Sequence, residues 1–129
     1  MPTFRYRYAA ITPPAPALLL NLTHPITGTE AQNISVLLDT GADQTVLPER
    51  LAEQLELLKL DQELIRGFDG APQVLGVYSV VLQVRDLIPF EIKVIASPKV
   101  ASVVVGRDVL NRYRLVLDGP NGVLEITGD

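Results

Sequence analysis

The chain has 129 residues, a length that suits one domain, and its 47% hydrophobic content can build a core, which excludes a wholly disordered protein. The formal net charge is −4, with acids and bases mixed and no basic block or basic–aromatic stripe, so no nucleic-acid partner is expected. No cysteine occurs, which excludes disulfides, thiolate metal sites and a cysteine nucleophile. That composition fits a reducing compartment. The start of the chain lacks a signal-peptide core, and the run over 15–20 is too short and too proline-interrupted to span a bilayer. A cytoplasmic protein with no membrane partner is the expectation.

In chain order, most segments read as short strands. Phe4, Tyr6 and Tyr8 alternate with Arg5 and Arg7, the period of a half-buried strand. Pro13, Pro14 and Pro16 follow, and prolines cannot donate to a ladder, so this is an edge or a linker. Apolar runs over 18–22 and 34–38 flank a loop rich in Pro, Gly and Thr and predict a strand pair. His24, alone beside Pro25 in that loop, reads as a surface residue. Residues 48–57 predict a helix: Pro48 suits its first turn, Glu49 favours its dipole, and Leu51, Leu55 and Leu58 would share a face. Strands over 58–66 and 74–84 bracket the turn-forming Gly67-Phe68-Asp69-Gly70-Ala71-Pro72. Strands over 88–96 and 102–105 come next, then a short helix over 106–112. A hairpin over 115–117 and 123–126 closes around Asp118 to Gly122. Many short strands with one or two short helices predict a mainly β, small closed or sandwiched fold in one domain, 1–129.

The chemistry concentrates at Asp39-Thr40-Gly41-Ala42-Asp43, which presents a carboxylate on a tight turn between two apolar strands. Late in the chain, three valines lead into Gly106-Arg107-Asp108. No partner histidines or cysteines make a zinc site with His24, and no phosphate loop or nucleophile elbow occurs, so neither a metal nor a cofactor is implied. The tripeptide Asp-Thr-Gly is also an ordinary strand-end turn, Arg107 an ordinary solvated helix residue, and 67–72 an ordinary hairpin loop. Asp118-Gly119 lacks the hydroxyl residue and is a turn only.

In order and spacing, the Asp39 segment, the following hairpin and the Gly106-Arg107-Asp108 entry resemble the retropepsin-like (retroviral-type) aspartic proteases over about residues 34–126. The longer helix after Leu47 is more similar to cellular and prokaryotic members than to the viral enzymes. The resemblance implies a closed β-barrel-like acid-protease fold, active as a homodimer, that hydrolyses peptide bonds through a water held between two copies of Asp39 sharing one proton. It implies activity peaking at acid to mildly acid pH. Thr40 would tie the two active-site loops together across the dimer, Gly41 would let backbone approach the carboxylates, and Ala42 would line the substrate. Asp43 would pair with Arg107. Gly67, Phe68, Asp69 and Gly70 would form the flap tip. Strands over 4–8 and 123–127 are candidates for a sheet shared between protomers. Val46, Ile65, Phe68, Val74 and Val103 are expected to wall the subsites, favouring apolar side chains beside the cut. Two rivals remain: the same dimer retained to bind a peptide or protein partner without turnover, and a monomeric structural barrel.

Overall fold

The computed structural model describes residues 1–66 and 70–129. Its strands are β1 (Thr3–Arg7), β2 (Ala17–Thr23), β3 (Glu30–Leu38), β4 (Val46–Pro48), β5 (Lys59–Arg66), β6 (Pro72–Gln83), β7 (Phe90–Ser97), β8 (Val103–Val105), β9 (Arg114–Asp118) and β10 (Val123–Thr127). Two short helices, α1 (Glu49–Gln54) and α2 (Arg107–Leu110), complete the described elements. The main sheet runs β2-β3-β8-β4-β7-β6-β5, and β2 also pairs with β6, so the strands from β2 to β6 close a barrel with β5 outside it. A second sheet runs β1-β10-β9. The mainly β, barrel-like architecture expected from the sequence is the one observed.

Alternation builds the core. Leu18, Leu20 and Leu22 of β2 point inward and meet Val36, Val80, Leu82, Val94, Val103 and Val105. Each fully buried leucine contributes about 1.5–3 kcal/mol by leaving water. Leu124 and Ile126 of β10 extend that core under the small sheet, with Phe4 and Tyr6 packed beside them.

Two local expectations are corrected. The helix stops at Gln54, because Glu56 turns left-handed (φ 55°). The Leu57 N–H then donates to the Ala52 carbonyl and the Glu56 N–H to the Glu53 carbonyl, each at 3.0 Å, the pair of bonds that ends a helix in a Schellman motif. Leu57 is buried by this turn, whereas Leu58, expected on the helix face, is 63% exposed. A left-handed residue with a side chain is strained, so Glu56→Gly is expected to stabilise the fold by up to ~1 kcal/mol, less the entropy glycine adds to the unfolded chain. Urea unfolding checks it.

His24 is buried, not a surface residue. Its Nδ1 accepts the Ile26 and Thr27 N–H groups at 3.0 and 3.1 Å, so the ring organises the β2–β3 turn. Finally, β1 and β10 pair with each other inside one chain, Thr3 opposite Thr127 through Arg7 opposite Val123. The two terminal strands named as candidates for a sheet shared between protomers thus sit side by side in one small sheet of each chain. Among the described residues no helix is long and apolar enough to cross a membrane.

Candidate active site

The site begins with two strands running side by side. β3 and β8 are parallel, with Val36, Leu37 and Leu38 opposite Val103, Val104 and Val105. Both end at the same level, so Asp39 and Gly106 leave the barrel as neighbours. The Asp39 N–H continues the ladder to the Val105 carbonyl at 2.9 Å. Beyond that bond the backbone turns: the Gly41 N–H donates to Asp39 Oδ1 at 2.9 Å and the Ala42 N–H to the Asp39 carbonyl at 3.2 Å. One carboxylate oxygen is thus fixed, and the other makes no hydrogen bond among the described residues. A Cβ at Gly41 would stand 3.1 Å from Asp39 Oδ1, tight against the oxygen that this turn positions.

The second loop clamps the first. The Arg107 N–H donates to the Ala42 carbonyl at 2.9 Å, and its guanidinium donates to the Thr40 carbonyl at 2.8 Å. Asp108 reaches under the turn: Oδ2 accepts the Thr45 N–H at 2.9 Å and Oδ1 the Thr45 hydroxyl at 2.8 Å. The same hydroxyl oxygen accepts the Gly106 N–H at 3.2 Å. Thr45 is fully buried and Asp108 half-buried, so the bond to Gly106 lies away from water and the two to Asp108 are partly shielded from it. Thr45→Val keeps the shape, orphans the Gly106 N–H and strips Asp108 of one donor. The expected cost is about 2–4 kcal/mol in urea unfolding, with Thr45→Ser losing far less.

The expected pairing of Asp43 with Arg107 is not formed. Arg107 is engaged by the Thr40 carbonyl, and the ion pair found among the described residues is Arg5 with Glu125. Asp108, the neighbour of Arg107, makes the carboxylate contacts that brace the loop. Thr45 and Asp108 carried no assigned role in the sequence reading. A lone threonine heading an apolar strand, matched by an acid in the first turn of a late helix, was the available signal.

A cleft of about 550 Å³ opens beside Asp39. Ala42 and Val46 line one part of it, Val104 and Val100 another, and Ile65, Ala71, Gln73 and Leu75 from the β5–β6 hairpin a third, with Ser97 and Lys99 adding polar groups. Two of the expected subsite residues fall on the wrong side of their strands. Val103 is buried in the core, and it is Val104 that faces the cleft. Val74 is 63% exposed on the outer face of β6, while its neighbours Gln73 and Leu75 face in. Gly70 is exposed and left-handed (φ 73°). Gly67, Phe68 and Asp69, expected at the flap tip, lie outside the described residues.

Asp39, Thr40, Asp43 and Arg107 are all exposed in the single chain. Among the described residues, neither the Thr40 hydroxyl nor the Asp43 carboxylate makes a hydrogen bond within it. No cluster of three or more His, Cys, Asp or Glu side chains is placed to hold a metal among the described residues.

A family model described as gag-polyprotein putative aspartyl protease matches residues 27–112, which include both loops of the site. The UBA domain-containing protein Mud1 of Schizosaccharomyces pombe is 33% identical over 100 residues, covering 74% of this chain and 30% of Mud1. The chain spans less than a third of the length of the curated relatives it matches. Among solved structures, a retropepsin-like aspartic protease from Rickettsia conorii superposes with a TM-score of 0.64 at 15% identity, covering 97% of this chain and 91% of that one. The retroviral protease-like domain of Ddi1 from Leishmania major gives 0.56 at 19% identity, covering 88% and 90%. With more than half the chain matched, the protein belongs to the gag-polyprotein putative aspartyl protease family, and its fold is that of retropepsin-like aspartic proteases.

Proposed function

We propose that the chain is an aspartic endopeptidase that works as a homodimer, with Asp39 of each copy supplying half of the catalytic pair. The observation that carries this reading is the Asp39 carboxylate, held by the Gly41 N–H at the edge of an apolar cleft and exposed at a point where a second copy can approach. One carboxylate alone cannot serve as base and acid at once. Two at close range share a proton, since both cannot ionise together. The ionised member takes a proton from a bridging water, which attacks the peptide carbonyl carbon. The protonated member gives its proton to the carbonyl oxygen as the C=O π bond opens and the carbon becomes tetrahedral. Collapse breaks the C–N bond, and a carboxyl proton passes to the leaving amine.

The unpartnered Thr40 hydroxyl supports a tie across the dimer, and the β5–β6 hairpin, whose Ile65, Ala71, Gln73 and Leu75 line the cleft, supports a cover over the substrate. The largely apolar lining supports substrates with apolar side chains beside the cut. The cysteine-free composition supports a cytoplasmic setting. An unbiased peptide library incubated with the protein from about pH 4 to pH 7, the span over which carboxylate pairs act, tests the reading. Cuts flanked by apolar residues, strongest toward the acid end, are expected. A stable dimer that binds peptides and cuts none would replace it with the binding-module reading.

A further inference from the structure

We propose that the chain carries a second recognition site, a groove at the base of the β5–β6 hairpin that captures an extended protein segment by one large apolar side chain and a Lys or Arg two residues away. The inference goes beyond the catalytic reading and stands whether or not Asp39 cuts peptides. A cavity of about 280 Å³ opens between the β2–β3 turn and strands β5, β6 and β7. Pro25, Ile26, Leu58 and Leu60 form its apolar walls, and His24, Ser79 and Glu91 supply polar groups. Ile26, Leu58 and Leu60 each expose more than half of their surface, and contiguous exposed apolar groups of this kind mark interaction sites. Ile65, which lines the Asp39 cleft, is roughly 17 Å along β5 from Leu60, so groove and cleft are separate.

His24 is the polar group that lacks a partner. The residue is 5% exposed, and its Nδ1 accepts two main-chain N–H groups. The neutral ring therefore carries its proton on Nε2. That N–H makes no hydrogen bond among the described residues, although a donor so placed ordinarily has one. Among the described residues only the Tyr6 hydroxyl is sealed from solvent without a partner, so the Nε2–H opens on the groove that His24 lines.

The volume is too small for a drug-sized molecule and suits one side chain of the size of Leu or Phe, the kind of anchor that dominates protein interfaces. The main-chain carbonyl of the anchor residue supplies the acceptor that His24 Nε2 needs. Glu91 is exposed and forms no ion pair among the described residues, so the groove favours a cation. Lys93, opposite Ser79 in the ladder, does not line it. Residues two apart on an extended segment share a face, so a Lys or Arg two positions from the anchor reaches Glu91. β5 is an edge strand, open to such a segment.

Amide ¹⁵N–¹H spectra of the wild-type chain at about pH 7.5, where an ordinary imidazole is neutral, test this by titration with the capped tripeptide acetyl-Leu-Ala-Lys-amide to about 10 mM. Saturable shifts are expected at Ile26, Thr27, Leu60 and Ser79. Acetyl-Ala-Ala-Lys-amide, which lacks the anchor, is expected to bind at least about tenfold more weakly. Acetyl-Leu-Ala-Glu-amide is expected to lose about two- to fivefold, and Glu91→Lys to reverse the preference between the lysine and glutamate peptides. Leu60→Ser, at an exposed position, is expected to keep the dispersed spectrum of a folded chain and to lose the shifts. Shifts confined to residues around Asp39, or no shifts at all, would overturn the groove. So would lysine and glutamate peptides that bind wild type and Glu91→Lys alike.

Discussion

Asp39→Asn is expected to lower kcat/KM for peptide cleavage at least ~10³-fold at every pH between about 4 and 7, within the range that general acid–base groups supply. In a homodimer the substitution removes both carboxylates together. The amide cannot take a proton from water or share one with its mate. It is nevertheless nearly the same shape, and its Oδ1 still accepts the Gly41 N–H that fixes the Asp39 carboxylate. The turn, the clamp from Arg107 and the cleft should therefore survive. Thermal unfolding and sedimentation of the variant should match wild type, and peptide affinity should persist while turnover disappears. Cleavage persisting in the variant would show that Asp39 is not the reacting group.

Gly106→Ala is expected to destabilise the protein by about 2–3 kcal/mol, the cost of overpacking where nothing nearby can yield. A Cβ there would stand 2.8 Å from the Gln44 carbonyl oxygen and 2.9 Å from the Ala42 carbonyl oxygen. Both are backbone atoms of the loop that carries Asp39, not ends of flexible side chains. Relief requires that loop to move away from α2. Moving it also strains the Arg107 N–H bond to Ala42 and the Gly106 N–H bond to Thr45. Urea unfolding reads the stability loss, and activity per folded molecule should fall as well, because Asp39 travels with the loop. By contrast, Gly119→Ala, with open space around the glycine, should change stability little. Equal effects at the two positions would mean that the 39–44 loop tolerates displacement.

The strands were legible because they alternate cleanly, as β1 does, or form apolar runs, as β2 does, and because turn residues separate them. The Asp39 turn was legible because an acid, a hydroxyl and a glycine interrupt an apolar run. What stayed hidden was set by contacts remote in sequence or by backbone geometry. Three consecutive valines in β8 carry no alternation, so Val103 and Val104 could not be told apart as core and cleft. The end of α1 rests on a left-handed glutamate where glycine would have announced it. His24 looked idle because its partners are main-chain N–H groups, which every residue has. The family resemblance implied an ion pair of Arg107 with Asp43, whereas within the chain the guanidinium takes the Thr40 carbonyl and Asp108 does the bracing.

β8 lies between β3 and β4 in the sheet, although β3 and β4 are separated by only one turn in sequence. The strand that divides them arrives more than fifty residues later. A ribosome that has released residues 1–100 has therefore delivered the candidate catalytic aspartate without the ladder that holds its N–H, without Arg107 and without Asp108. Such long-range closure is slow compared with hairpin formation. The nascent chain is expected to remain inert until the segment carrying β8 and α2 folds back into the gap, so the timing of synthesis itself separates making this protein from arming it.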